Sequence, residues 1–115
     1  MSHDAAVDHQ AQVLLIDDDP HLRLALSQTL DLAGLKVRAL DSAQGVAARL
    51  DRDWPGVVVS DIRMPDLDGL QLLEQIQARD PELPVLLITG HGDVPLAVQA
   101  MRSGAYDFLE KPFPS

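Results

Sequence analysis

A doubly wound α/β domain, built on a five-stranded parallel sheet in the order 2-1-3-4-5, is the fold class this sequence predicts. Three observations carry the doubly wound parallel architecture. Short, continuous apolar runs (VLLI, VVVS and a second VLLI) lack the polar alternation of a half-exposed sheet, as expected of strands covered on both faces. Amphipathic stretches with helix start and stop signals separate those runs, and alternating strands and helices form parallel sheets. The punctuation between them is short, with no internal repeat and no low-complexity tract, so each helix crosses right-handedly to the next strand.

Residues 1–12, MSHDAAVDHQAQ, are polar and lack the basic and apolar regions of a signal peptide, so they read as a disordered lead-in. Val13 to Ile16 is the first strand. Asp19 then offers an N-cap acceptor and Pro20 a first helical residue whose missing N–H costs nothing. Leu22, Ala25, Leu26, Thr29 and Ala33 share one face of that helix, which Gly34 ends. Lys36 to Leu40 is the second strand. Ser42 to Leu50 is a shorter helix with Val46, Ala47 and Leu50 inward, closed by the turn Trp54-Pro55-Gly56. Val57 to Ser60, the most β-branched run, is the third strand.

Arg63 to Gly69 forms a loop, and Leu70, Leu73 and Ile76 mark a third helix. Pro81 and Pro84 bracket the turn into the fourth strand, Val85 to Ile88. The loop Thr89-Gly90-His91-Gly92-Asp93 follows, with Asp93 placed to cap a helix carrying Val94, Ala97, Val98 and Met101 on one stripe. Ser103-Gly104 stops it, and Tyr106 to Leu109 is the fifth strand. One element is missing from this pattern: after Phe113-Pro114-Ser115 the chain stops where a fifth helix is due. Residues 13–115 therefore read as one domain cut before its last helix.

A chain of 115 residues buries roughly two-thirds of its unfolded surface. With 46% apolar residues and 3% aromatics, its core is aliphatic. Nine basic against eighteen acidic residues leave a formal charge of −9, a field that repels DNA. The absence of cysteine removes disulfide and thiolate chemistry and fits a cytoplasmic location. No apolar run approaches the roughly 20 residues of a membrane span.

Ligands of doubly wound sheets sit outside the carboxyl ends of the strands, and the chemically capable residues fall at those ends. Asp17 and Asp18 follow the first strand, Asp61 the third, Thr89 the fourth, and Lys111 stands just past the fifth. A carboxylate accepts a phosphoryl group only where the added negative charge is offset. Three neighbouring carboxylates repel one another without a cation, and Mg2+, which takes oxygen ligands and keeps waters, suits them. The divalent ion and Lys111 bring the formal sum to zero. Asp61 is thus the candidate nucleophile, Asp17 and Asp18 candidate metal ligands, and Asp19 a helix cap.

Other motifs fail. Asp66-Leu67-Asp68-Gly69 lacks the earlier acid and the closing glutamate of a calcium loop. Gly90 and Gly92 lack the third glycine of a dinucleotide loop, and His3, His9, His21 and His91 show no zinc spacing.

Taken together, VLLIDDD, VVVSDIRMPDLDG, LLITGHGD and GAYDFLEKPF resemble the receiver domain of bacterial two-component response regulators, from Val13 to Phe113. The resemblance implies a flavodoxin-like fold. It implies a phosphoryl group taken by Asp61 from a histidine kinase or a small donor such as acetyl phosphate, and later hydrolysed by the domain itself. It gives Mg2+ the ligands Asp18, Asp17, Asp61 and the backbone carbonyl of Arg63. It gives Thr89 and Lys111 the phosphoryl oxygens, and makes Thr89 and Phe108 the switch pair. Arg63 and His91 stand at positions that flank the attacking water in the family, and so tune dephosphorylation.

The nearest resemblance is to the nitrogen-regulation class, within it the C4-dicarboxylate transport regulators. There the receiver precedes a sigma-54-type ATPase and a DNA-binding domain, so DNA is met only through downstream domains, and a homodimer is expected in the parent protein. Nitrogen-fixation-type regulators carry a similar TGHGD loop, and a freestanding receiver is a further alternative. A haloacid-dehalogenase-like phosphatase with Asp17 as nucleophile fits less well, because His21 stands where that motif needs Thr or Val.

Overall fold

The computed structural model describes residues 11–50, 53–90 and 93–110. Nine elements alternate: β1 (Val13–Ile16), α1 (Pro20–Leu32), β2 (Val37–Leu40), α2 (Val46–Arg49), β3 (Val57–Asp61), α3 (Gly69–Arg79), β4 (Val85–Thr89), α4 (Val94–Arg102) and β5 (Asp107–Glu110). The strands form one parallel sheet in the order β2-β1-β3-β4-β5, as the sequence predicts. The chain order reverses between β1 and β3, which fixes where a ligand can sit.

Side chains alternate across each strand. Leu14, Ile16, Val58, Val85 and Leu87 therefore share one face, where they join Val46, Leu72, Leu73, Ile76 and Ala100 of α2, α3 and α4 in the main core. Val13, Leu15 and Ile88 point to the other face and are also buried. There α1 packs along β1 and β2.

Several elements differ from expectation in instructive ways. In α1 the buried-side stripe is Leu22, Leu26 and Leu30, all partly buried, while Ala25, Thr29 and Ala33 are exposed. The leucines have more apolar area to hide, and they set the rotation of the helix. Thr29 instead donates its hydroxyl to the Ala25 carbonyl at 3.0 Å. The second helix does not run from Ser42: Gly45 takes φ of 74°, which breaks the helical path, and α2 is a single turn.

In α4 the inward residues are Ala97 and Ala100, both fully buried, with Leu96 partly buried against the core. Val98 and Met101, expected inward, are 45% and 40% exposed. Two alanines on the sheet side let this helix lie close to β4 and β5. The Val94 side chain is outside the described ones. Leu72, not singled out by spacing, is fully buried in α3. Strand ends shift by one residue: β3 and β4 extend to Asp61 and Thr89, β2 begins at Val37, and β5 runs one residue later.

The amino end of the sheet is closed by Trp54, whose indole N–H donates to the Ala11 carbonyl at 2.8 Å. Gly56 lies so close that a Cβ there would collide with the Trp54 ring and the Gln12 carbonyl. Gln12, which the sequence places in the lead-in, accepts from the Lys36 N–H at 2.9 Å. The rest of that lead-in, residues 1–10, and the proposed cut before a last helix lie outside the described residues.

Candidate functional site

Among the described residues, each chemically capable side chain stands at or just past the end of a strand. Asp17 directly follows β1 and is fully buried; Asp61 ends β3 at 5% exposure; Thr89 ends β4, fully buried; Asp18, next to Asp17, is exposed. Carrying charge or hydroxyls inside costs free energy unless those groups are bonded or paired, so the local geometry matters. The Asp19 N–H donates to Asp17 Oδ1 at 2.9 Å, and the Arg23 guanidinium donates to the Asp17 carbonyl at 2.7 Å. Asp19 itself caps α1, accepting from the His21 and Leu22 N–H groups at 2.9 and 3.3 Å.

On the β3 side the Arg63 N–H donates to Asp61 Oδ1 at 3.2 Å, folding the chain back over the carboxylate. Gly69 makes that fold possible. A Cβ at Gly69 would strike the Asp61 carbonyl oxygen and the Ile62 Cα, so only glycine lets α3 begin directly behind the nucleophile candidate. Asp68 and Gln71 form a capping box at the same helix start, with bonds of 2.8 and 3.0 Å. Asp68, which the sequence compares with a failed calcium loop, is thus a cap.

The three carboxylates converge. Asp17, Asp18 and Asp61 each offer one oxygen, and those atoms lie within 4.8 Å of one another. Two are buried and one is exposed, so the cluster is open to water on the Asp18 side. Hard oxygen donors in this arrangement fit a divalent cation that keeps part of its hydration shell. Of the two residues expected to form a switch pair, Thr89 donates its hydroxyl to the Leu109 carbonyl at 3.4 Å, and Phe108 is partly buried against the main core. Lys111 and His91 lie outside the described residues.

One partner of the site was not legible in the sequence. Asp93 holds the N-cap position of α4, yet its side chain makes no capping bond to that helix. Its carboxylate instead receives the Arg63 guanidinium: Nε donates to Oδ1 and Oδ2 at 3.0 and 2.9 Å, and Nη2 to Oδ1 at 2.8 Å. Arg63 is 69% exposed at its side chain and Asp93 10%. The bonds to Asp93 and its charge hold the guanidinium above its ordinary titration range. Thirty residues separate the two in sequence, so spacing gives no signal; only the adjacency of β3 and β4 brings them together.

Comparison with known proteins agrees with this geometry. The family model for the response regulator receiver domain matches residues 13–115. The C4-dicarboxylate transport transcriptional regulatory protein DctD of Pseudomonas aeruginosa is 71% identical over 115 residues, all of this chain and 25% of that protein. The transcriptional regulatory protein FixJ of Bradyrhizobium diazoefficiens is 50% identical over 104 residues, 90% of this chain and 51% of that one. Among solved structures, the crystal structure of the receiver domain of NtrX from Brucella abortus superposes with a TM-score of 0.81 at 40% identity, covering 89% of this chain and 87% of that one. The chain spans about a quarter of the DctD relative and about half of the FixJ relative.

Proposed function

The chain belongs to the response regulator receiver domain family, and we propose that Asp61 is its phosphoacceptor, served by Mg2+ held between Asp17, Asp18 and Asp61. As a receiver it is the input module of a two-component response regulator concerned with transcription. The observation that carries the proposal is the convergence of those three carboxylates at the carboxyl edge of the sheet.

In the proposed reaction an Asp61 carboxylate oxygen forms a bond to phosphorus. The bond from phosphorus to the donor breaks, and the donor leaves with its electron pair: imidazole from a kinase phosphohistidine, acetate from acetyl phosphate. Bound Mg2+ would offset charge on the phosphoryl oxygens, with the Arg63 carbonyl as a further ligand. The Arg63 N–H orients Asp61 through Oδ1. Thr89 and Lys111 donate to the phosphoryl oxygens, so Thr89 must exchange its bond to the Leu109 carbonyl for one to the phosphoryl group. Phe108 follows that movement as the switch partner. Hydrolysis returns the carboxylate and releases inorganic phosphate. The domain's chemistry is confined to its own modification.

The donor in the cell is read as a histidine kinase, and the output as a sigma-54-type ATPase with a DNA-binding domain, supported by the likeness to DctD. A nitrogen-fixation-type output is the neighbouring reading, supported by the likeness to FixJ. A cytoplasmic location fits this role, and among the described residues no helix is long and apolar enough to cross a membrane. A homodimer of the longer protein is part of the same proposal: Val98, Met101, Tyr106 and Leu109 expose apolar surface on α4 and around β5.

Intact-mass measurement after incubation with acetyl phosphate and Mg2+ tests the central claim. One phosphoryl adduct is expected on the wild type, and none on Asp61→Asn. An adduct that survives in Asp61→Asn and disappears in Asp17→Asn would overturn it in favour of phosphatase-like chemistry at Asp17.

A further inference from the structure

The Arg63–Asp93 pair links a residue just past Asp61 to one just past Thr89. Arg63 stands two residues past Asp61, and its own N–H is bonded to Asp61 Oδ1. Asp93 stands four residues past Thr89. Its backbone N–H donates to the Gly90 carbonyl at 3.1 Å, and its Oδ2 lies 3.4 Å from where a Cβ on Gly90 would be. A closed path therefore runs from the Asp61 carboxylate through the Arg63 backbone and guanidinium to Asp93, and on to the residue that follows Thr89.

The planar guanidinium meets Asp93 through two nitrogens, which fixes direction as well as distance. At the same time the Thr89 hydroxyl is turned to β5, on the Leu109 carbonyl. To reach a phosphoryl group on Asp61, Thr89 and Gly90 must shift, and Gly90 is the residue whose carbonyl the Asp93 N–H holds.

We propose that Asp93 is a positioning residue: through Arg63 it ties Gly90, the residue after Thr89, to the backbone carrying Asp61, and holds Thr89 on β5 until a phosphoryl group arrives. The inference rests on reading Asp61 as the phosphoacceptor, and it assigns Asp93 a role beyond that reading. Breaking the tie favours the shifted position of Thr89 before phosphorylation, so a small phosphodonor finds a receptive site more often. Because Arg63, the cationic half of the pair, is largely exposed, its effect is modest, roughly threefold in rate.

The test is a double-mutant cycle on the 115-residue chain with acetyl phosphate and Mg2+. Asp93→Asn, nearly identical in shape, is expected to raise the phosphorylation rate about threefold, and to add nothing when introduced into Arg63→Ala. An unchanged rate in Asp93→Asn, or the same gain with Arg63 absent, would overturn the proposal. Backbone amide shifts, measured without phosphodonor, supply a readout that does not depend on phosphorylation. The amides of Arg63, Thr89 and Gly90 should move in Asp93→Asn, and shifts confined to residue 93 and its chain neighbours would reject the tie. A wild type that never forms an adduct would refute the phosphoacceptor reading, while the amide shifts would still decide whether the tie exists.

Discussion

The two ends of the sheet are built from opposite materials. At the amino end, Ala11, Trp54, Leu83 and Ala105 are buried and apolar, and the Trp54 indole N–H is bonded to a backbone carbonyl. At the carboxyl end stand four of the five buried polar or charged residues among those described: Asp17, Asp61, Thr89 and Asp93. Apolar burial stabilises, whereas buried carboxylates contribute little to stability and cost free energy when their partners are lost. The difference separates labour within one small fold. One end holds the strands together, and the other keeps a cluster of carboxylates that a fold selected for stability alone would replace with leucine and valine.

Substitutions at the two ends should therefore fail in different ways. The sharpest contrast sets Asp61→Asn against Trp54→Ala. The first abolishes the phosphoryl adduct and leaves a cooperative thermal transition. The second removes a large buried side chain and costs about 3–5 kcal/mol of stability, yet its folded fraction still forms the adduct. Calorimetry and intact mass on both variants check this, and loss of adduct from well-folded Trp54→Ala would erase the distinction.

Asp18→Asn gives a graded effect within the carboxyl end. The Mg2+ concentration for half-maximal adduct should rise by about tenfold or more, with the melting temperature little changed because Asp18 is exposed. A magnesium titration of adduct formation reads it directly. Smaller still are Arg63→Ala and His91→Ala, which should change the decay of the adduct several-fold, and more than they change its formation. Identical decay curves for wild type and both variants would remove those two residues from the list of tuning positions. The gain expected from Asp93→Asn is the smallest of the series, and it asks whether the carboxyl end is one coupled unit or a set of independent groups.

Much of the site could be read in the sequence because strand ends in a parallel sheet share an edge. Once VLLI, VVVS and VLLI are strands, Asp17, Asp61 and Thr89 are neighbours by topology, and no side-chain detail is needed. Helix faces were harder. The stripe Val94, Ala97, Val98 and Met101 follows helical spacing, but so does the one that is buried. In α4 the choice fell to Ala97 and Ala100, because small residues allow close approach to β4 and β5. In α1 the leucines prevailed over Ala25 and Thr29 for the opposite reason, since α1 reaches the sheet through bulk. Hydrophobic period gives the helix; the distance to its neighbour decides which residues face it.

The sequence by itself determined the alternation of strands and helices, the parallel sheet they form, the Asp19 cap and the set of residues at the carboxyl edge. Each of these follows from local propensity or from topology that local elements impose. Only the tertiary structure decided that Gly69 must be glycine to let α3 start behind Asp61, that Trp54 closes the other end on Ala11, and that Asp93 serves Arg63 instead of its own helix. Those are contacts between segments far apart in the chain, set by how closely two elements approach. An approach distance has no signature in the spacing of residues along either one.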